Sequence, residues 1–387
     1  VKTKLLFFYD HFYPSYKAGG PTQSVVNLVR ALHQEFELSI VCKPHEMGAA
    51  QTLPGIRINE WMDWEEKARV FYWNYGWRRL LQLKRLIKDA APDMIYINGI
   101  YSLYFNFLPL IVARSIGAAI VVAPRGMLHD GALSQKTWKK KPFLFLFQLL
   151  GLPKKVCWHA TDETEANFIR SKMGNDVRIS VAPNLPNLLN ILPAPEKKKG
   201  ELILGSIALV SPMKNHLEVI KALQQVKAKV AWHIYGPVKD AAYWKQCRAM
   251  IPQLPAHVEV HYHGELPPQD LSNAMQQFQV FILPSKSENF GHALAEALSA
   301  GKPIITSVNT PFAAIESYGC GKAVTEQDIY VQLKLAIEEY AAMDSIEFHK
   351  QVTATQNYTE LKFKNTDVLK RYYSLFSDSF ASSCKQG

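Results

Sequence analysis

Residues 279–307, QVFILPSKSENFGHALAEALSAGKPIITS, leave fewer options for the fold than any other stretch. An apolar run from Gln279 to Leu283 is stopped by Pro284, and Ser285 to Asn289 is polar and turn-like. Gly291 opens a run of good helix formers, His292 to Ala300, which Gly301 and Pro303 close. Pro303 to Ser307 is a second, β-branched strand. Two short apolar strands joined by a helix form a βαβ unit of a buried parallel sheet. Ligands of such sheets lie outside the carboxyl ends of the strands, here at the loop from Pro284 to Phe290. The backbone N–H groups of Gly291, His292, Ala293 and Leu294 then point at that loop, and a helix N-terminus attracts anions.

Two carboxylates flank this anion site. Glu288 lies in the loop and Glu296 on the helix, where 3.6-residue spacing places it on one stripe with His292 and Ser299. Leu294 and Leu298 fall on the sheet side. A mid-helix Glu is ordinarily a solvated charge. Glu296 instead sits between alanines without a Lys four residues on, so it also fits a carboxylate that binds sugar or ribose hydroxyls.

The segment SENFGHALAEALSAGKPIITS resembles the donor-site motif of retaining glycosyltransferases of the GT-B architecture, family 4, of the bacterial polysaccharide-building type. Glu288, Phe290, Gly291, Glu296, Ala297, Gly301 and Pro303 match its pattern. The resemblance implies an α/β fold of two facing Rossmann-like domains, with a last helix crossing back to the N-terminal one. The expected domains are 1–184 plus 363–387, on the acceptor side, and 185–362, which holds the donor. It also implies a donor set of Asn289, Phe290, Gly291, His292, Ala293, Leu294 and Glu296, with Glu288 contacting the reacting sugar.

The rest of the chain accommodates that reading. A length of 387 residues suits about two domains, and 48% hydrophobic with 20% charged residues suits a globular protein. The formal charge of +10 favours phosphorylated substrates or anionic lipid, and nothing zinc-finger-like or RNP-like supports nucleic acid as a partner. Five widely spaced cysteines show no metal or disulfide spacing, which points to a reducing cytoplasm. The start, VKTKLLFFYDHFYP, carries too short an apolar run for a signal peptide, and no run reaches transmembrane length.

Lys4 to Tyr9 reads as the first strand, and Thr22 to Leu32 as an amphipathic helix preceded by Gly19 and Gly20. The segment AGGPTQS lacks the dinucleotide fingerprint spacing, and no P-loop occurs. By resemblance, the Gly19–Gly20 backbone contacts the donor diphosphate. Strands at Met94 to Ile97 and Ala119 to Ala123 lead to Asn98, Tyr101, Arg125 and His129. Many family members carry His where Asn98 or Arg125 stands. Arg125 is therefore expected among the catalytic residues, with Asn98, Tyr101 and His129 on the acceptor side.

Pro183 to Gly200, with four prolines and a lysine run, reads as the interdomain linker. Beyond it, Lys214 precedes a helix from His216 to Val226. The resemblance pairs Lys214 with the donor diphosphate, although Leu209 stands where an Arg is usual. Gly264 and Leu266 follow the strand Val258 to Tyr262 and by resemblance border the nucleotide base. No Asp-x-Asp occurs, so neither a bridging metal nor any other cofactor is expected.

SQKTWKKKPFLFLFQLLGLPKK, which contains 136–155, fits either an interfacial helix at the inner-membrane surface or a buried helix with a lysine collar. The expected reaction moves a sugar from a nucleotide-diphosphate sugar to a glycan or lipid-linked acceptor, with retention. An epimerase of the same fold and a donor-binding scaffold without turnover are the alternatives.

Overall fold

The computed structural model describes residues 2–76, 79–129, 144–364 and 367–384. The chain divides into two compact units, Val1–Leu185 together with Thr366–Gly387, and Pro186–Asn365.

The first unit is built on an eight-stranded sheet: β1 (Thr3–Phe8), β2 (Phe36–Cys42), β3 (Trp61–Trp64), β4 (Ala68–Tyr72), β5 (Met94–Asn98), β6 (Ala119–Ala123), β7 (Cys157–Ala160) and β8 (Arg178–Val181). Their spatial order is β3-β4-β2-β1-β5-β6-β7-β8. All neighbours are parallel except β3 with β4. Alternation along β1 feeds two cores. Leu5 and Phe7 pack with the helix α1 (Gly20–Leu32), while Leu6 and Phe8 pack with α2 (Arg79–Ala90) and α3 (Leu108–Ser115).

The β3–β4 hairpin is a feature the sequence reading lacks. The turn between its strands carries Glu65 and Glu66 at φ 51° and 55°, the left-handed region where Gly or Asn usually signals a turn. The last helix, Asp367–Cys384, buries Tyr372, Leu375 and Phe376 in the core of this first unit.

The second unit is a six-stranded, wholly parallel sheet: β9 (Glu201–Ile207), β10 (Lys229–Tyr235), β11 (Val258–Tyr262), β12 (Val280–Leu283), β13 (Ile304–Ser307) and β14 (Gly321–Val324). Their order is β11-β10-β9-β12-β13-β14. Helices His216–Leu223, Ala241–Met250 and Ile329–Ala342 cover one face. Helix His292–Ser299 and the short helix Leu271–Met275 cover the other. The sheet is buried on both faces, which is why β12 and β13 read as continuous apolar runs.

Much of the linker is fastened to the second unit. Leu189 N donates to Ser299 Oγ at 3.0 Å, and Leu192 N donates to Ala300 O at 3.1 Å. The buried Lys302 ammonium donates to Pro193 O at 2.9 Å, and burial pushes its pKa down to about 8. Lys197, within the lysine run, donates to Ala341 O at 3.0 Å and so satisfies a helix-end carbonyl. No helix of the described residues is long and apolar enough to cross a membrane.

Candidate functional site

In the second sheet the chain first adds β10 and β11 on one side of β9, then returns to place β12 on the other. The strand order therefore reverses between β9 and β12, where open α/β sheets form a crevice at the strands' carboxyl ends. Lys214 comes from the loop after β9 and Glu288 from the loop after β12, and the two form an ion pair there.

Two further bonds join these loops and a third braces the Glu288 loop itself. Asn215 Nδ2 donates to Pro284 O at 2.8 Å, Lys286 N donates to Met213 O at 2.9 Å, and Ser285 Oγ donates to Glu288 Oε1 at 2.7 Å. The side chains of Lys214 and Glu288 are 19% and 15% exposed, enough to meet a ligand yet little screened.

Gly291 turns the chain from this loop into the helix at φ +75°. A Cβ there would lie 3.1 Å from both Leu294 Cδ1 and Phe312 Cε2, so conformation and space both call for glycine. No side chain caps this helix at Gly291, which leaves its positive end toward the Lys214–Glu288 loops. Asn289 is exposed, and the Phe290 ring lies 4.7 Å from that of His292. Ala293 is half-buried, and Leu294 and Leu298 are fully buried against the sheet.

Glu296 is not a solvated surface charge. Only 7% of it is exposed, and burial pushes its pKa up to about 8 against the opposing hydrogen bond from Asn187. The fastened linker, in which Asn187 lies, supplies this cover, and helix periodicity carries no trace of it. Gly264 adopts φ +77° and accepts from Gly236 N at 2.6 Å, and Leu266 packs on the core beside it.

In the first unit, Gly19 precedes α1 at φ 74°, and no side chain caps that helix, in which Gly20 is the first residue. Arg125 sits at φ 53° with its guanidinium buried. Its Nε donates to Asn98 Oδ1 at 2.8 Å, its Nη2 to the Tyr96 hydroxyl at 2.8 Å, and its Nη1 to Asn184. Burial alone would lower the Arg125 pKa, but Tyr96, Tyr372 and Glu165 outweigh it and raise it. Every guanidinium nitrogen is thus engaged in a buried network, which fixes Arg125 as a cross-link between β5, β6 and the chain at Asn184.

Tyr96 continues the network to His159 Nδ1 at 2.7 Å, and His159 Nε2 lies 2.7 Å from Ala182 O. Burial, then Arg125, push the His159 pKa down to about 3. Tyr101 is half-buried with its hydroxyl 3.4 Å from Met127 O, and His129 stacks edge-on against Phe168 at 4.6 Å. Among the described residues no group of three His, Cys, Asp or Glu side chains could hold a metal ion.

A cation and a helix N-terminus at the switch point of a doubly wound α/β sheet suit an anionic ligand. Comparison with known proteins gives the family. The family model for glycosyl transferases group 1 matches residues 190–324, and that for the glycosyl transferase 4-like domain matches residues 19–185. The chain belongs to the group 1 glycosyltransferases.

No curated protein sequence matches it. Solved structures share its fold. Sucrose-phosphate synthase from Thermosynechococcus elongatus superposes with a TM-score of 0.72 at 15% identity, covering 98% of this chain and 100% of that one. HepE of Anabaena in complex with UDP and glucose gives 0.71 at 17% identity, with the same coverage of 98% and 100%. WaaG, a glycosyltransferase involved in lipopolysaccharide biosynthesis, gives 0.64 at 12% identity, covering 95% of this chain and 98% of that one.

Proposed function

We propose that this glycosyltransferase takes its sugar from a nucleoside diphosphate donor, with UDP as the first candidate, held by the second unit. The observation that carries the reading is the Lys214–Glu288 pair at the switch point, beside the uncapped N-terminus of helix His292–Ser299. UDP is favoured because HepE of Anabaena is described in complex with UDP and with UDP-glucose.

In this account Lys214 and the helix N-terminus neutralise the leaving diphosphate as charge develops. Glu296 receives the ribose hydroxyls, Glu288 faces the sugar being transferred, and the Gly264–Leu266 backbone borders the base. No step calls for a metal, and the sugar leaves with its anomeric configuration retained. Asn98, Tyr101 and His129 remain acceptor-side candidates, and Arg125 acts by holding Asn98 in place.

The acceptor is proposed to be a lipid-linked saccharide in surface polysaccharide synthesis, reached at the membrane surface. Supporting this, residues 144–149 form a short helix on which Phe145 and Leu149 are 66% and 69% exposed. The basic residues Lys136, Lys139, Lys140 and Lys141 lie outside the described residues.

A thermal-shift panel of nucleoside diphosphate sugars tests the donor. UDP sugars are expected to raise the melting temperature more than GDP or dTDP sugars. NMR of the stabilising donor incubated alone should show no isomer, because an isomer formed without acceptor would mark an epimerase.

A further inference from the structure

The first sheet has its own switch point. From β1 the chain adds β2 and β4 on one side, then crosses to place β5 on the other. At the carboxyl ends of β1 and β5, Ser102 Oγ donates to Asp10 Oδ1 at 3.1 Å, bridging the reversal. Lys43, one residue beyond β2, reaches the same oxygen at 2.5 Å. Its backbone N–H also donates to Asp10 O at 3.0 Å. Three loops from three adjacent strands therefore converge on one carboxylate oxygen.

The second oxygen, Asp10 Oδ2, receives no hydrogen bond among the described residues. The Asp10 and Lys43 side chains are 20% and 33% exposed. Glu46 nearby offers the contrast. Its carboxylate accepts from Ser15 Oγ at 2.7 Å, Tyr16 N at 3.0 Å, Lys17 N at 3.2 Å and Met47 N at 2.8 Å, so its capacity goes to ordering the loop. A carboxylate that only ordered its loops would be engaged as Glu46 is. Asp10 keeps an unused acceptor at the place where such sheets take ligands.

We propose that Asp10, Lys43 and Ser102 form a hydroxyl-binding site for the sugar of the acceptor. The chemistry suits a pair of neighbouring hydroxyls: Asp10 accepts from one, while the Lys43 ammonium donates to the other. Charge-assisted bonds of this kind are the stronger ones. The assignment rests on the glycosyl-transfer reading above and gives it an acceptor subsite on the first unit.

Saturation-transfer NMR on the full chain, with methyl glycosides of glucose, galactose, mannose and N-acetylglucosamine as probes, tests it. Wild type is expected to receive saturation transfer with at least one glycoside. Asp10→Asn and Lys43→Gln should bind that glycoside at least about tenfold more weakly, with UDP affinity by calorimetry unchanged. Wild type that binds none of the four, or Asp10→Asn that binds as wild type does, overturns the proposal. If Asp10→Asn does not fold, Ser102→Ala, which keeps the ion pair, should still weaken glycoside binding, and unaltered binding by it counts against the site. Failure of wild type to bind UDP would instead strike the donor reading, so the two can fail separately.

Discussion

Lys214 and Glu288, 74 residues apart in sequence, form an ion pair across the point where the strand order of the second sheet reverses. The pair holds a cation and a carboxylate at the mouth of the crevice, beside a helix N-terminus. On the proposed donor reading, a diphosphate entering there would compete with Glu288 for the same ammonium and so free Glu288 for the transferred sugar.

Lys214→Ala should keep the fold but lose some stability, more than the ~0–1 kcal/mol of an exposed ion pair, because it leaves the mostly buried Glu288 without its cation. It should lose turnover by roughly 2–4 kcal/mol, the scale of removing one preorganised donor to developing charge. Steady-state kinetics beside a thermal melt checks both halves. A melting temperature that falls while turnover holds would reassign the lysine to the fold. Chelation by EDTA should leave wild-type turnover intact.

Glu296 predicts a pH dependence of stability. Its folded pKa, about 8, lies above the ordinary 4.5, so between those values the folded state holds a proton that the unfolded state has lost. Stability drawn from this group is therefore complete below pH 4.5 and declines as pH rises through 8. Glu296→Gln has no such proton. The melting temperature of the variant relative to wild type should climb from pH 5 to pH 8 and then level off. A constant difference would show that the carboxyl is not held in its acid form.

His159 predicts the opposite slope. Its folded pKa, about 3, lies below the ordinary 6.5, so stability present above pH 6.5 is lost as pH falls toward 3. His159→Gln removes the titration while keeping groups that can bond to Tyr96 and Ala182. Urea melts between pH 7 and pH 4 should show a shallower acid limb in the variant. An equal slope would place the acid sensitivity elsewhere.

The fold was legible where local signals agree. Residues 279–307 carry apolar strands, glycine at both helix ends and a proline stop, and each appears as read. The β3–β4 hairpin was not, because glutamates occupy the left-handed turn positions where the sequence code expects glycine or asparagine. The sites divide in the same way. The Glu288–Glu296 spacing lies within one loop and helix and could be read directly. The burial of Glu296 depends on the linker at Asn187, more than a hundred residues away. Asp10, Lys43 and Ser102 meet only because β1 is flanked by β2 and β5, a register no local pattern encodes. Arg125 was read as catalytic by resemblance, at a position where many family members carry His; its bonds to Tyr96 and Asn98 on the neighbouring β5 and to Asn184 follow from strand pairing that no local pattern shows.

Membrane contact makes a separate prediction. Replacing Phe145 and Leu149 by Ser removes exposed apolar surface without touching the buried Phe147. Replacing Lys139, Lys140 and Lys141 by Gln removes about 1 kcal/mol of attraction to an anionic surface for each lysine. Both variants should float less with anionic vesicles, and wild-type flotation should weaken with salt. Flotation equal to wild type in both would leave the segment without a membrane role.

Calorimetric titration of UDP into wild type, Lys214→Ala and Glu288→Gln tests the donor site most directly. Wild type should bind UDP, and Lys214→Ala should bind at least about tenfold more weakly, a loss of about 1.4 kcal/mol. Glu288→Gln should bind at least as tightly as wild type, since the lysine then has no competing carboxylate. Wild type that does not bind UDP, or a Lys214→Ala variant that binds it equally well, would contradict a donor site built on the Lys214–Glu288 pair.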